Sequence, residues 1–395
     1  MTSPRDLAEV GRAFLRLGLT SFGGPVAHLG YFREEFVGRR RWLDDAAYAD
    51  LVALCQMLPG PASSQVVFAL GMRRAGLPGA LLASACFMLP SAVAMILFAY
   101  GVSSAGGVGR AGWLHGLKVA AVAVVALAVW GMAARLCPDW PRRALGLAAA
   151  AAVLAFPGTF TQVLAMAACA GLGALAIPRE PSGARPAPTF GRGHAWAAGA
   201  LLTFLLLLVL LPFVAGLTGN RGVKMFDGFY RAGSLVFGGG HVVLPLLRSE
   251  VVPRGWITDD AFMAGYGAAQ AVPGPLFTFA GYLGAAIEPG PHAWASGLLA
   301  LLAIFLPAWL LVGGVLPFWH LLRGMGRAQG ALAGANAAVV GILLAALYRP
   351  VCTEGIRDAR DVAAAVAAAV LIQGLRVPPW AVVALMAAAG RWILR

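Results

Sequence analysis

Apolar residues along the chain fall into runs separated by short polar connections, and a run needs about 20 residues to cross a bilayer as a helix. On that ruler the first part of the chain supplies 10–31, 47–72, 76–100, 113–135, 143–156 and 160–177, the last two hinged at Pro157 and Gly158 and readable as half-spans. The stretch from Pro178 to Gly193, rich in Pro, Gly and Arg, reads as a linker. A very apolar run over 194–217 follows, and then 225–247, 260–286, 293–319, 331–349, 360–374 and 378–394. The pattern predicts an all-α polytopic membrane protein in three parts: a first transmembrane repeat over 1–177, a linker with an extra central span over 178–224, and a second transmembrane repeat over 225–395.

The two outer parts match residue by residue. At an offset of 215, Phe14 and Arg16 match Phe229 and Arg231, Phe22-Gly23-Gly24 matches Phe237-Gly238-Gly239, and Arg33 with Glu35 matches Arg248 with Glu250. After a one-residue deletion the offset becomes 214, where Trp42 matches Trp256, Asp45 matches Asp259, and Tyr48 matches Phe262. At the same offset Gln56 with Pro59-Gly60-Pro61 matches Gln270 with Pro273-Gly274-Pro275. Phe87-Met88-Leu89-Pro90 is echoed by Ile304-Phe305-Leu306-Pro307, and Gly116-Leu117-Lys118 by Gly334-Ala335-Asn336. Six segments, one extra span and six more place the second repeat upside down relative to the first, about a pseudo-twofold axis in the membrane plane.

The Pro-Gly-Pro motifs predict broken helices. Each proline lacks a backbone donor and clashes with the preceding turn, while the glycine between them adopts whatever dihedrals the break requires. Two such breaks at matching places point to unwound backbone facing a cavity, the way secondary transporters build substrate sites.

Composition narrows the cargo. Hydrophobic residues make up 60% of the 395 and charged residues 12%, which excludes a soluble core. The net charge of +13 would suggest nucleic acid in a soluble domain; here the basic residues sit mostly in connections between apolar runs, so no nucleic-acid partner is expected. They fall almost evenly on the two alternating sets of connections and so do not orient the chain. Only 17 acidic residues face 30 basic ones, a balance that favours anionic cargo. Cys55, Cys86, Cys137, Cys169 and Cys352 have no paired spacing, so neither a metal site nor a disulfide framework is implied. Met1 to Glu9 lacks the charged-then-apolar pattern of a cleaved leader. With no nucleophile arrangement, phosphate-binding loop or dinucleotide fingerprint, neither catalysis nor a cofactor is expected.

The glycine clusters Gly23-Gly24 and Gly238-Gly239-Gly240 interrupt helices that propensity alone would keep intact. They read either as anion-binding backbone at a half-helix start or as close helix packing. His28 and His241 lie beside them as structural hydrogen-bonders or proton carriers. Arg33 and Arg248 are interfacial charges or, through fixed bidentate donors, oxyanion ligands. Asp45 and Asp259 read as helix caps, Thr258 sharing in the second. Gln56 and Gln270 either donate to an anion or satisfy a carbonyl freed by the break. Lys118 and its counterpart Asn336 are polar positions in apolar spans, and Lys118 either serves the pathway or snorkels from a span end.

Phe22-Gly23-Gly24-Pro25, the stretch from Arg33 to Trp42, Gln56 with Pro59-Gly60-Pro61, and their second-half echoes resemble the CHR family of chromate transporters. The likeness covers both halves, as in the long, two-domain form. It implies an inner (plasma) membrane protein that exports chromate, driven by membrane potential or proton exchange, and so confers chromate resistance. Sulfate, an isosteric dianion, is the implied competitor, and a homodimer is left open. For proton coupling the titratable candidates are His28, Glu35, His241 and Glu250. The second half departs from the first with Gly240 where Pro25 stands and Ser249 where Glu34 stands. Two other readings stay open: an importer of sulfate or another anion, and a non-transporting membrane scaffold.

Overall fold

The computed structural model describes residues 3–104, 112–177, 194–236, 242–319 and 326–392, and every regular element among them is helical. The first half runs α1 (Pro4–Thr20), α2 (Gly24–Arg33), α3 (Asp45–Met57), α4 (Ala62–Ser104), α5 (Gly112–Leu136), α6 (Trp140–Ala155) and α7 (Thr159–Ala176). After α8 (His194–Thr218) come α9 (Arg221–Leu235), α10 (Val243–Val251), α11 (Asp259–Ala269), α12 (Phe279–Ile287), α13 (Ala293–Val315), α14 (Gly326–Ala346), α15 (Ala359–Gln373) and α16 (Pro379–Trp392). The backbone of α4 leaves helical geometry at Ala75 and Gly76, so α4 is two helices end to end, the counterparts of α12 and α13.

Five stretches among the described residues are long and apolar enough to cross a membrane: Ala62–Val102, His115–Leu136, Ala195–Thr218, Ala293–Phe318 and Gly326–Gly355. The protein is a multi-pass membrane protein. The runs at 47–72 and 260–286 break at their Pro-Gly-Pro motifs, as the sequence predicts, and those at 10–31 and 225–247 are likewise divided, between α1 and α2 and between α9 and α10. Local backbone explains it. Gly23 and Gly24 take φ of 97° and 76°, and Gly60 and Gly274 take 124° and 102°, values that end a right-handed helix.

The halves exchange helices. α1 packs on α4 and α9 on α13, within each half, but α5 packs on α15 and α16 of the second half and α14 on α6 and α7 of the first. A Cβ on Gly116 would overlap the Met386 carbonyl, and one on Gly334 would overlap the Cys169 carbonyl, so backbone meets backbone at both crossings. Gly330 lies against Gly173 and Gly390 against Gly112, which makes α14 antiparallel to α7 and α5 antiparallel to α16. Two short reversals separate α5 from α7, so α14 runs opposite to its own counterpart, α5. The repeat is inverted, as the segment parity predicts. Outside this core α8 exposes Leu202, Leu205, Val209, Phe213 and Leu217, a surface suited to acyl chains.

Candidate functional site

Each Pro-Gly-Pro break contacts the opposite half of the chain. Gly60 donates its N–H to the Val236 carbonyl at 2.6 Å, and Gly274 donates to the Ser21 carbonyl at 2.9 Å. Ser21 and Val236 are equivalent positions, each just before a glycine cluster. Each half therefore binds the other half's helix end through its own break. The side-chain environment repeats too: a Cβ on Gly60 would come within 3.0 Å of the Ala308 methyl, and one on Gly274 within 2.8 Å of the Ser91 hydroxyl, each from the opposite half. Buried Gln65 donates to the Pro59 carbonyl at 2.7 Å. The carbonyl freed by the break is thus satisfied by Gln65, which leaves Gln56 on the surface of the cavity described next.

That cavity holds about 580 Å³ and gathers Gly23, Gly24, Gln56, Gly60, Gln270 and Gly274 from the two halves. At about 30 Å³ per water it has room for a hydrated anion. Its chemistry is that of a donor. α2 starts at Gly24 with no side chain capping it, so the Gly24 and Val26 amides, Pro25 having none, and the positive end of its dipole are available. The Gln270 side chain reaches the cavity beside the buried Tyr266 hydroxyl, with which it shares a hydrogen bond. Arg135 joins the lining from the last turn of α5, its Nε donating to the Gly131 carbonyl at 3.2 Å, and Gln373 joins from the end of α15. No Asp or Glu lines the cavity among the described residues. Amides, carboxamides and a guanidinium without a carboxylate suit an oxyanion.

Arg135 and Gln373 stand at the ends of the apolar runs 113–135 and 360–374, and neither is among the site residues the sequence suggests. The readable signal for Arg135 is a cation inside the final turn of a span, which must find water, headgroups or a cavity.

The other predicted residues lie elsewhere. Pro59, Pro61, Pro273 and Pro275 flank the lining glycines. Arg33 pairs with Asp45 at 2.7 Å, and Arg248 holds Asp259 through two contacts of 2.6 and 2.8 Å; neither arginine lines the cavity. The caps of α3 and α11 are Asp44 and Thr258, one residue before Asp45 and Asp259, which leaves those two carboxylates free for the arginines. His28 is fully buried, donates through Nε2 to the Ser21 carbonyl at 3.1 Å and lies edge-on to Phe87. It braces the same carbonyl that Gly274 uses. Glu35 sits between Arg39 at 3.0 Å and Arg40 at 2.7 Å, and Glu250 between Arg231 at 3.1 Å and Arg254 at 2.9 Å. Lys118 pairs with Asp260, and the Asn336 carboxamide oxygen is buried without a partner among the described residues. Gly238, Gly239, Gly240 and His241 lie outside the described residues.

Comparison with known proteins agrees with the duplicated architecture. A 29% identical relative in Pseudomonas aeruginosa, named "Chromate transport protein", aligns over 86% of this chain and 80% of its own length. A relative of the same name in Cupriavidus metallidurans is 27% identical over 86% of this chain and 82% of its own. In Synechococcus elongatus a "Probable chromate transport protein" is 27% identical over 78% and 75% of the two chains. No solved structure matches the chain. The family model described as "Chromate transporter" matches twice, over residues 8–174 and 223–391, once on each half of the inverted repeat; the chain belongs to the chromate transporter family.

Proposed function

We propose that the protein carries chromate out of the cell across the inner membrane and thereby confers chromate resistance. The observation that carries this reading is the cavity itself: the glycine of each Pro-Gly-Pro break lines it, and its polar lining offers hydrogen-bond donors and a guanidinium without an acid among the described residues. Gly23, Gly24, Gln56, Gly60, Gln270, Gly274 and Arg135 form the oxyanion site. The inverted repeat supplies the mechanism, rocking of one half against the other about a fixed site. The cavity takes its lining from α5 and the end of α15 and from no residue of α6, α7 or α14, so it lies on one side of the exchange. The related state opens the other side.

Membrane potential favours the outward direction. Moving a charge across 100 mV is worth about 2.3 kcal/mol, so a dianion leaving a negative interior gains about 4.6 kcal/mol. Proton exchange would add to this drive, and sulfate, with the same shape and charge, competes for the site.

Chromate and sulfate uptake into everted vesicles tests the reading. Accumulation of chromate that collapses with the membrane potential, and that sulfate inhibits, is the expected result. Labelled sulfate flowing into whole cells through the protein would replace it with an importer, and no flux of either anion would leave a scaffold.

A further inference from the structure

The extra span covers one face of the repeat and leaves the equivalent face bare. α8 packs on α9 and α13. Tyr230 of α9 donates its hydroxyl to the Phe204 carbonyl of α8 at 3.0 Å, and the rings of Tyr230 and Phe204 stand 6.3 Å apart with Leu306 of α13 packed against them. At the offset of 215, Tyr230 and Ser234 correspond to Leu15 and Leu19 of α1. Tyr230 is 1% exposed and Ser234 3%, whereas Leu15 is 40% exposed and Leu19 55%. Leu306 corresponds to Leu89 of α4, which is 54% exposed. Among the described residues, no helix takes the place on α1 and α4 that α8 takes on α9 and α13.

The bare face also carries charge that the covered face balances. Arg12 and Arg16 of α1 stand at the places of Asp227 and Arg231 of α9. Arg231 reaches Asp227 at 2.8 Å and Glu250 at 3.1 Å, so the covered side is neutralised within the fold. On α1 the acid of that pair is an arginine, and Glu35, the counterpart of Glu250, is taken by Arg39 and Arg40. The acids of α1 itself are taken too: Asp6 and Glu9 hold Arg74, and Glu9 also holds Arg40. Arg12 Nε donates to the Ala8 carbonyl at 3.3 Å, and neither Arg12 nor Arg16 has an ion-pair partner among the described residues. At 3.6 residues per turn, Leu15, Leu19, Arg12 and Arg16 fall within one arc of about 100°. They form a single exposed face.

Their depth follows from α4. The turn at Ala75 and Gly76, flanked by Arg73 and Arg74, separates two apolar legs and so marks a membrane face. Arg74 ties that turn to Asp6 and Glu9, and from there α1 runs alongside the second leg, with Gly11 against Leu82 and Cys86 and Gly18 against Phe87. Arg12 and Arg16 lie about 5 and 10 Å along the helix beyond Glu9, at 1.5 Å per residue. Long arginine stems carry their heads back to the headgroups from such a depth. Leu15, Leu19 and Leu89 continue inward.

An occupant of this face must bring negative charge at its outer end and apolar length below it. The α8 helix of a second copy has no acid between His194 and Thr218 and would bury both guanidiniums unpaired. We infer that the face of α1 and α4 binds an anionic phospholipid, with its phosphate at Arg12 and Arg16 and an acyl chain along Leu15, Leu19 and Leu89. Guanidiniums one turn apart offer paired N–H donors to phosphate oxygens. A zwitterionic headgroup brings its own cation and leaves one arginine unbalanced. The lipid thus supplies to the first half the cover that α8 gives the second.

The site is read by binding alone, whatever anion the cavity carries. Thermal unfolding and native mass spectrometry of the full-length protein in detergent are followed as phosphatidylglycerol, phosphatidylcholine with the same acyl chains, or inorganic phosphate is added. Wild type is expected to prefer phosphatidylglycerol over phosphatidylcholine roughly 25-fold, about fivefold for each arginine, and to gain nothing from inorganic phosphate. Arg12→Asp, which restores the acid that stands at Asp227 and pairs Arg16 within the helix, should abolish the preference. Arg12→Gln with Arg16→Gln should do the same. Arg357→Gln with Arg360→Gln removes as much charge from two exposed positions elsewhere and should leave the preference intact. Equal wild-type affinity for the two lipids, a preference that survives Arg12→Asp, an equal loss in the Arg357 and Arg360 variant, or stabilisation matched by inorganic phosphate overturns the proposal. If the α1 variants do not fold, cross-linking of a photoreactive phosphatidylglycerol to wild type decides, and attachment outside α1 and α4 overturns it.

Discussion

The two helix exchanges, α5 onto α15 and α16 and α14 onto α6 and α7, are built on one plan and finished differently. Gly116 against Met386 repeats as Gly334 against Cys169, and Gly390 against Gly112 has its answer in Gly173 against Gly330. Around these contacts the side chains diverge. His115 corresponds to Ala333, Lys118 to Asn336, Asp260 to Ala46, and Asp361 to Arg142, which instead faces the cap of its own helix, Asp139, at 3.3 Å. Both members of each pair, the buried His115–Asp361 and the buried Lys118 with its half-exposed partner Asp260, are missing together from the α14 side. A membrane interior tolerates an ionised group only with its partner, so the pair is the unit that is kept or lost. The charged exchange is also the one that walls the cavity. Close glycine contact is common to both joints, and the α5 joint adds ionisable contacts to it.

The severest way to break this comparison is at the shared element. Gly116→Val and Gly334→Val drive a branched side chain into a backbone carbonyl that cannot step aside, and each should cost about 3 kcal/mol or prevent folding. Melting temperature and monodisperse yield in detergent are the readouts. The losses should be alike; a stable variant at either position would show that the crossing is not a common joint.

Next comes the crossing of the broken helices. Gly60→Ala and Gly274→Ala place a methyl group where φ is positive and where Ala308 and Ser91 stand close by. Both should insert and both should abolish chromate flux in vesicles. Flux lost at one position and retained at the other would make the site one-sided despite its reciprocal hydrogen bonds.

The charged joint is tested through its buried cation. Asp260→Ala strands Lys118, which is 3% exposed, and a lysine without a partner at membrane depth costs about 2.5 to 3.5 kcal/mol on insertion scales. Lys118→Met should be milder, because the Asp260 carboxylate it leaves is half-exposed and can hydrate. Asn336→Lys on the opposite exchange lacks an acid and should resemble Asp260→Ala. Thermal melts of the three variants rank them, and equal melting of Asp260→Ala and Lys118→Met would contradict a buried cation with an exposed partner.

The duplication made much of the site legible. Gln56, Gly60, Gln270 and Gly274 stand out because they repeat at one offset, and their prolines announce the break chemically. The partners across the crossing, Ser21 and Val236, carry no sequence signal, because a backbone carbonyl accepts a hydrogen bond whatever side chain it bears. The same search was blind to His115 and Asp361 for an instructive reason: their counterparts are Ala333 and Arg142, so the comparison that picked out the cavity passed over the pair. Hydropathy alone reads the runs 47–72 and 260–286 as continuous, and it is the proline and positive-φ glycine of each Pro-Gly-Pro motif that announce the division.

The smallest effect belongs to the residues that repetition alone promoted. Arg33 and Arg248 repeat faithfully, and so does what they do, since each ties the end of one short helix to the start of the next through Asp45 or Asp259. The ties differ in setting: Arg33 and Asp45 are each 62% exposed, whereas Arg248 and Asp259 are each 28% exposed and meet through two contacts. An exposed pair is worth about 0 to 1 kcal/mol, so Arg33→Ala should barely move the melting temperature, and Arg248→Ala should move it more. Both variants should still carry chromate, because neither guanidinium lines the cavity. Loss of flux in folded Arg33→Ala would bring that arginine back into the pathway and mean that the carrier passes through a state in which the Asp45 tie is released.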